Sequence, residues 1–418
     1  MNLATRSVLA AALVAAMAPS SYAEIKLLGV GSIPGTAVDQ SGLTGVLEDG
    51  LTPSNRVGGL GSAIAYTGAG TVYAATPDRG PADGTTSYAD RVYAVDITLS
   101  PAPVPGQFTV SPAVIATRLL RTAGGARFTG LAGAFDPTNS PSSLRFDPEG
   151  IRLARCGGRF FVSDEYGPFL YEFGPDGRRR RAVGLANKFL IDFPSAVGGD
   201  ELGKNLAGRQ ANRGMEGLAI SPDGRKLYGI MQSALLQDGA LDAANSRVGT
   251  NNRLVEVDVD TGALREFLYT LDSRSNGVSE ILAVNDHEFL VLERDGRAGA
   301  NAVTKKLFRI DIKDATDIRD LKQLPVSDVP LGVAPVLKTP FLDLLAPAFG
   351  LAGPSLPEKF EGLAFGPDLA DGRHLLIVTT DNDFSATQPS LFYAFGVDSS
   401  DLPDFEAQEV LLNAPCPQ

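Results

Sequence analysis

The sequence predicts an all-β fold, a β-propeller built from four-stranded antiparallel blades. Two repeated features and one absence predict it. A short phrase, a glutamate followed by glycine or directly by an aliphatic residue, returns along the chain as Glu149-Gly150-Ile151, Glu216-Gly217-Leu218, Glu280-Ile281 and Glu361-Gly362-Leu363. After each copy comes a turn, a β-rich run, a polar cluster and a further β-rich run. Few long windows show helical periodicity, so a parallel α/β arrangement fits poorly. The successive glutamates stand 67, 64 and 81 residues apart, and repetition at that scale is the mark of a modular ring or solenoid.

The elements follow in order. A degenerate copy without the acid, Gly61-Ser62-Ala63-Ile64, opens the first module. The turns are Gly68-Ala69-Gly70, Cys156-Gly157-Gly158, Asp223-Gly224, Asn285-Asp286 and Asp371-Gly372. Apolar runs bounded by such dipeptides read as hairpin strands. Second strands are read at Thr71-Val72-Tyr73-Ala74, Phe160-Phe161-Val162, Lys226-Leu227-Tyr228-Gly229, Phe289-Leu290-Val291-Leu292 and Leu375-Leu376-Ile377-Val378. A third run follows in every module, for example Leu170-Tyr171-Glu172-Phe173 and Leu391-Phe392-Tyr393-Ala394, and often a fourth. Four antiparallel strands are the blade of a propeller. Five blades are visible, starting near Gly58, Arg145, Arg213, Asn276 and Lys359. Residues 24–51 and 410–412 remain, and pairing the two chain ends would complete a further blade and remove an open edge. Six blades are therefore expected, with five or seven as alternatives. The modules exceed the roughly 40–50 residues of a blade, which predicts inserted loops at 81–88, 192–211, 232–251 and 324–357.

Propeller geometry turns the repeat into a site. The innermost strand and its antiparallel neighbour bring the start of the first and the end of the second to one face. The second-strand ends carry Asp78-Arg79-Gly80, Asp164-Glu165-Tyr166-Gly167, Glu293-Arg294-Asp295-Gly296 and Asp381-Asn382-Asp383; the third visible blade has Met231-Gln232-Ser233 and no acid. Acids thus converge on one rim from two positions of the repeat, with Arg145, Arg213 and Lys359 just before the glutamate phrases. Clustered carboxylates repel unless a cation neutralises them, and oxygen ligands select hard ions such as calcium. The expected metal ligands are Glu149, Asp164, Glu216, Glu280, Glu293, Asp295, Glu361, Asp381 and Asp383. Glu149, Asp164 and Glu165 are the catalytic candidates. Arg79, Arg145, Arg213, Arg294 and Lys359 would hold an anionic substrate such as a phosphate ester. The structural alternative is that the repeated Glu-Gly ties neighbouring blades together and the Asp-Arg clusters are interblade ion pairs.

The stretch Phe146-Asp147-Pro148-Glu149-Gly150-Ile151, followed by Phe161-Val162-Ser163-Asp164-Glu165-Tyr166-Gly167-Pro168, resembles the signature of the bacterial phytase-like family, the "esterase-like activity of phytase" family. Glu216-Gly217-Leu218 and Phe360-Glu361-Gly362-Leu363-Ala364-Phe365 fit it as well, and the resemblance runs from about Gly58 to Val397. It implies a propeller and an exported protein and, more distantly, calcium-dependent phosphatase chemistry.

The chain start agrees with export. Arg6 is a short basic region, residues 8–18 are apolar, and Ser21-Tyr22-Ala23 offers a small-residue cleavage site, so 1–23 reads as a signal peptide and 24–418 as one domain. A soluble monomer in the periplasm or outside the cell is expected, with no span in the mature chain: the most apolar later stretch, 331–357, is broken by Lys338, Asp343 and prolines. The two cysteines, Cys156 and Cys416, are expected to pair, two unpaired thiols being the alternative. A formal charge of −12 without a basic stripe argues against nucleic acid. The one dense basic run, 178–181, reads as an exposed outer strand. Only His287 and His374 are present, in different blades and outside any Arg-His-Gly context, which argues against a histidine phosphatase. No Gly-x-Ser-x-Gly elbow, P-loop or zinc spacing is present. Two functions remain: a divalent-metal-dependent phosphoesterase, or a non-catalytic propeller that binds a cation, ligand or protein on its acidic rim.

Overall fold

Among the described residues, five four-stranded antiparallel sheets surround one axis. The computed structural model describes residues 25–416; the expected signal peptide lies outside them. The first strand, β1 (Lys26–Ile33), is set aside for the last blade. Blade 1 consists of β2 (Leu60–Tyr66), β3 (Val72–Pro77), β4 (Arg91–Pro101) and β5 (Phe108–Leu119). Blade 2 is β6 (Pro148–Leu153), β7 (Phe160–Asp164), β8 (Phe169–Phe173) and β9 (Arg179–Val183). Blade 3 is β10 (Met215–Ile220), β11 (Lys226–Met231), β12 (Asn251–Asp258) and β13 (Leu264–Thr270). Blade 4 is β14 (Asn276–Ala283), β15 (Glu288–Asp295), β16 (Lys305–Asp311) and β17 (Leu337–Asp343). Blade 5 is β18 (Phe360–Phe365), β19 (His374–Thr380) and β20 (Ser390–Val397), completed on its outer edge by β1.

The expected sixth blade is corrected by that last pairing. The chain ends do contribute to closure, but β1 pairs with β20 from Lys26–Gly396 to Ile33–Ser390, supplying a missing fourth strand and not a new sheet. The C-terminal stretch joins no blade; Leu411 makes an isolated parallel bridge to Cys156. Closure by a strand from the opposite end of the chain covers the edge that β20 would otherwise leave unpaired. The expected insertion at 324–357 holds β17 as well as loop, and that at 192–211 holds a short helix, Gly198–Lys204. The basic run falls on β9, the outermost strand of blade 2.

Each pair of neighbouring blades shares its own core. Blade 1 meets blade 2 through Ala63, Ala74, Ile151, Val162 and Tyr171. Blade 2 meets blade 3 through Phe161, Leu170, Leu218 and Val255, and blade 3 meets blade 4 through Tyr228, Leu254, Ile281 and Phe289. Leu290, Leu307, Leu363 and Tyr393 join blades 4 and 5; Tyr73, Tyr93, Ile377 and Phe392 close the ring between blades 5 and 1. The chain passes the usual size of a single core because apolar surface is buried between blades and not around one centre.

The innermost strands β2, β6, β10, β14 and β18 contact one another in turn around the axis. Every one of them carries a register shift near its start, at Leu60/Ala63, Pro148/Gly150, Met215/Gly217, Val278/Glu280 and Phe360/Leu363. A β-bulge re-aims the residue it inserts. The inserted positions include Glu149, Glu216, Ser279 and Glu361. The glycine that follows three of them permits close blade contact: a Cβ on Gly217 would lie 2.7 Å from the Ile281 nitrogen, and one on Gly150 2.6 Å from the Leu218 Cβ.

Candidate functional site

The bulges and the second-strand ends meet at one mouth of the channel. There Asp78, Arg79, Glu149, Glu165, Arg213, Glu216, Ser279, Arg294, Lys359 and Glu361 line a cleft of about 710 Å3 of empty space. The strand register accounts for this: Pro148 lies opposite Asp164, Leu60 opposite Pro77 and Phe360 opposite Thr380.

Among the described residues two groups of carboxylates could hold a metal ion, and they differ in what already neutralises them. Asp78, Asp381 and Asp383 place oxygens within 4.8 Å of one another. The Lys359 ammonium lies among them, 3.4 Å from Asp78, 3.0 Å from Asp381 and in contact with Asp383. Burial pushes Asp78 up, but the charges of Lys359 and Arg79 outweigh it and hold the carboxyl below its ordinary value. In the other group, Asp78, Asp147 and Glu149 likewise lie within 4.8 Å. Arg79 pairs with Asp147 and, at 3.3 Å, with Glu165. Glu149 makes no hydrogen bond or ion pair among the described residues, although it is only 8% exposed. Asp147 Oδ1 and Glu216 Oε2 are buried without a hydrogen-bond partner.

Within this second group Asp147 and Glu149, with the adjoining Glu165 and Glu216, are under-neutralised: burial holds Asp147 well above the usual carboxylate range in spite of Arg79. Burial and the neighbouring Glu216 hold Glu149 well above the usual carboxylate range. Burial and Glu361 push Glu216 to about 8; burial and Glu216 push Glu165 to about 7 against the pull of Arg79. A cation would relieve all three. The donor set, carboxylate oxygens alone, fits a hard divalent ion.

The remaining expected residues divide clearly. Glu361 is at the rim, 2.6 Å from Arg294 Nη2. Asp164 lies beneath the rim and organises the turn after β7: Oδ1 accepts the backbone N–H groups of Asp147 and Tyr166, and Oδ2 that of Gly167. Glu280 stands one position further along β14, where other blades carry glycine, and faces the channel interior. Its Oε2 lies 3.0 Å from Arg152 Nη2, and its Oε1 accepts the N–H groups of Leu218 and Ile281. Ser279 takes the rim position of blade 4. Glu293 accepts from the Asp272 backbone, Asn276, Tyr269 and Lys338, away from the cleft. Asp295 accepts the N–H groups of Val303 and Thr304 and pairs with Lys305. Arg145 is paired with Glu201 and lies over the Tyr166 ring.

Some residues at the site were not named as ligands from the sequence. Asp78 was read as a rim acid but not as a ligand, and Asp147 sits two positions before Glu149 inside a motif already quoted, so the signal of both was present. Arg247 comes from the insertion 232–251 and has no repeat-based signal.

The mouth opposite the cleft is covered. Residues 401–416 cross it, with Glu406, Glu409 and Leu411 donating backbone N–H groups to the carbonyls of Val284, Pro222 and Arg155. Cys416 is bonded to Cys156. Both histidines lie on this side, His287 against Asp311 and His374 against Asp368.

A protein of Arthroderma benhamiae, described as an uncharacterized secreted protein, is 28% identical over 367 residues, covering 71% of this chain and 69% of that protein. Among solved structures, a member of the duf4221 family from Bacteroides vulgatus aligns over 90% of this chain and 99% of its own, at 9% identity and a TM-score of 0.35. The Cps50 (Swd1) β-propeller domain of Myceliophteria thermophila aligns over 82% of this chain and 97% of its own, at 11% identity and a TM-score of 0.32. Neither structural likeness bears on fold assignment or chemistry. The phytase-like family model, esterase-like activity of phytase, matches residues 55–384. That match spans well over half of the chain, which therefore belongs to the phytase-like family.

Proposed function

We propose that this chain is an exported phosphoesterase, acting as a monomer on a small phosphorylated substrate with a divalent cation, calcium foremost, in the channel-mouth cleft. Asp78, Asp147 and Glu149 would hold the ion, with Glu216 beside them. The observation that carries the reading is Glu149, a buried carboxylate without a partner, within 4.8 Å of two aspartates. Family membership and the secreted relative agree with it. A bound divalent ion would polarise a phosphoryl oxygen and lower the pKa of a water. The chain's own groups have separate tasks. Arg79 fixes the positions of Asp147 and Glu165. Glu165, pushed to about 7 by burial and by Glu216, is suited to hold and release a proton near neutrality. Asp164 acts by positioning, since both its oxygens are taken by backbone N–H groups. Lys359 neutralises the neighbouring aspartates and leaves the substrate to other cations.

Phosphate release from phytate and from an aryl phosphate, with calcium and with chelator, tests this. Wild type should turn over only with the ion, and Glu149→Gln and Asp147→Asn should be inactive yet folded. Tight calcium binding without turnover of either substrate would instead support a non-catalytic propeller that binds its ligand at the same cleft.

A further inference from the structure

The cleft holds two guanidinium groups that no carboxylate neutralises. Its other cations are engaged: Arg79 by Asp147, Asp83 and Glu165, Arg294 by Glu361, and Lys359 by three aspartates. Arg213, just before β10, donates to Gln232 Oε1 at 2.7 Å and Ser233 Oγ at 3.3 Å. Arg247 reaches only the backbone carbonyls of Ser275 and Asn276, at 3.4 and 3.5 Å, the long limit of a hydrogen bond. Among the described residues neither arginine makes an ion pair, and both line the cleft. Glu165 and Glu216 attract Arg213 without touching it. Burial and the like charge of Arg213 lower Arg247 to about 10.

Bringing two like charges together in a half-buried wall is unfavourable. The fold gains little from it: Arg247 sits on a loop, makes no ion pair among the described residues, and touches blade 4 only through two hydrogen bonds at the long limit, to the carbonyls of Ser275 and Asn276. A guanidinium presents a planar fork of donors matched to phosphate oxygens. Gln232 and the Ser233 hydroxyl hold Arg213 in place, so the fork is preorganised.

We propose that Arg213 and Arg247 form an anion subsite on the blade 3 and blade 4 side of the cleft, which takes a phosphoryl group directly and without the divalent cation. This rests on reading the cleft as a phosphate-ester site. It divides the work there: acids on blades 1 and 2 face the ion, and arginines on the other side receive the dianion. The loop 232–251 thereby becomes a determinant of substrate charge.

The test is titration of the full-length mature protein with inorganic phosphate in chelator, followed by calorimetry and by melting temperature. Because no metal and no turnover are involved, its outcome is separable from that of the hydrolysis assay. Wild type should bind phosphate and melt higher with it, and acetate should not compete. Arg247→Gln should lose about tenfold in affinity, as expected for a charge-assisted contact. It should melt no lower than wild type without phosphate, because the repulsion is relieved. Arg213→Gln should lose at least as much. Arg225→Gln, an exposed arginine outside the cleft, should bind as wild type does. Absence of phosphate binding by wild type, an unchanged Arg247→Gln, an equal loss in Arg225→Gln, or competition by acetate would each overturn the subsite.

Discussion

Glu149 is the residue on which the chemistry of the cleft turns, because a largely buried carboxylate that no side chain neutralises favours protonation or a bound cation. Calcium should therefore stabilise the native protein, by about 2.7 kcal/mol at a hundredfold excess over its dissociation constant. Glu149→Gln should abolish that gain while leaving the melting temperature in chelator equal or higher. Calorimetric melts with and without calcium measure both. Equal calcium gains in the variant and wild type would remove Glu149 from the site. Arg152 offers a second test at this scale. It crosses the channel from blade 2 to Glu280 of blade 4 and donates to the carbonyls of Ile64 and Ile281 at 3.0 and 2.8 Å. Arg152→Met should cost about 3–5 kcal/mol, since it strands a buried acid. Adding Glu280→Gln should recover part of the loss, and a double-mutant cycle by urea unfolding reads the coupling.

At the scale of the element, the bulge at the start of each inner strand is the device that places the rim side chains. In blades 2, 3 and 5 the next residue is a glycine, and its lack of a side chain lets neighbouring blades approach closely. Gly217→Ala puts a methyl group 2.7 Å from the backbone of Ile281, which cannot yield as a flexible side chain would. The expected cost is about 1–3 kcal/mol, read as a lowered midpoint of denaturant unfolding; an unchanged midpoint would show that the blades can separate there. The covering segment 401–416 is a second such element. Its disulfide closes a loop of 260 residues, for which chain entropy allows about 5 kcal/mol at most. Cys416→Ser should lower the melting temperature and leave phosphate binding at the opposite mouth unchanged.

For the whole molecule, the ring gathers acids whose ordinary pKa values lie near 4 and lifts them together. Glu216 stands at about 8, Glu361 at about 7 and Asp381 at about 6, burial being the first cause in each. Folded-state values above unfolded ones mean that the native chain binds more protons between those values. Stability in chelator should accordingly fall as pH rises from about 5 to about 8. The benefit of calcium should grow over the same window, as ionised carboxylates become available to it. Melting curves across that range check both signs, and a chelator-treated protein that gains stability with pH would contradict them. His287 and His374 lie on the covered side, so their replacement by alanine should leave phosphate release unchanged.

The sequence by itself determined the module: strand, turn, strand, with an acid at the start of the first and the end of the second. These are local patterns, set by alternation and turn chemistry, and they placed Glu149, Glu216, Glu361, Arg79, Arg213 and Lys359 on one rim. Even the identity of Ser279 as the blade 4 counterpart was legible, had the copies been aligned on Ile151, Leu218, Ile281 and Leu363 and not on the acid. What only the tertiary structure decided is partnership and closure. Whether a carboxylate is free, as Glu149 is, or engaged, as Glu293, Asp295 and Asp164 are, depends on donors that come from elsewhere in the chain. The blade number depended on whether β1 starts a sheet or finishes one. Both answers are long-range pairings, and strand periodicity alone carries no information about which distant edge a strand will meet.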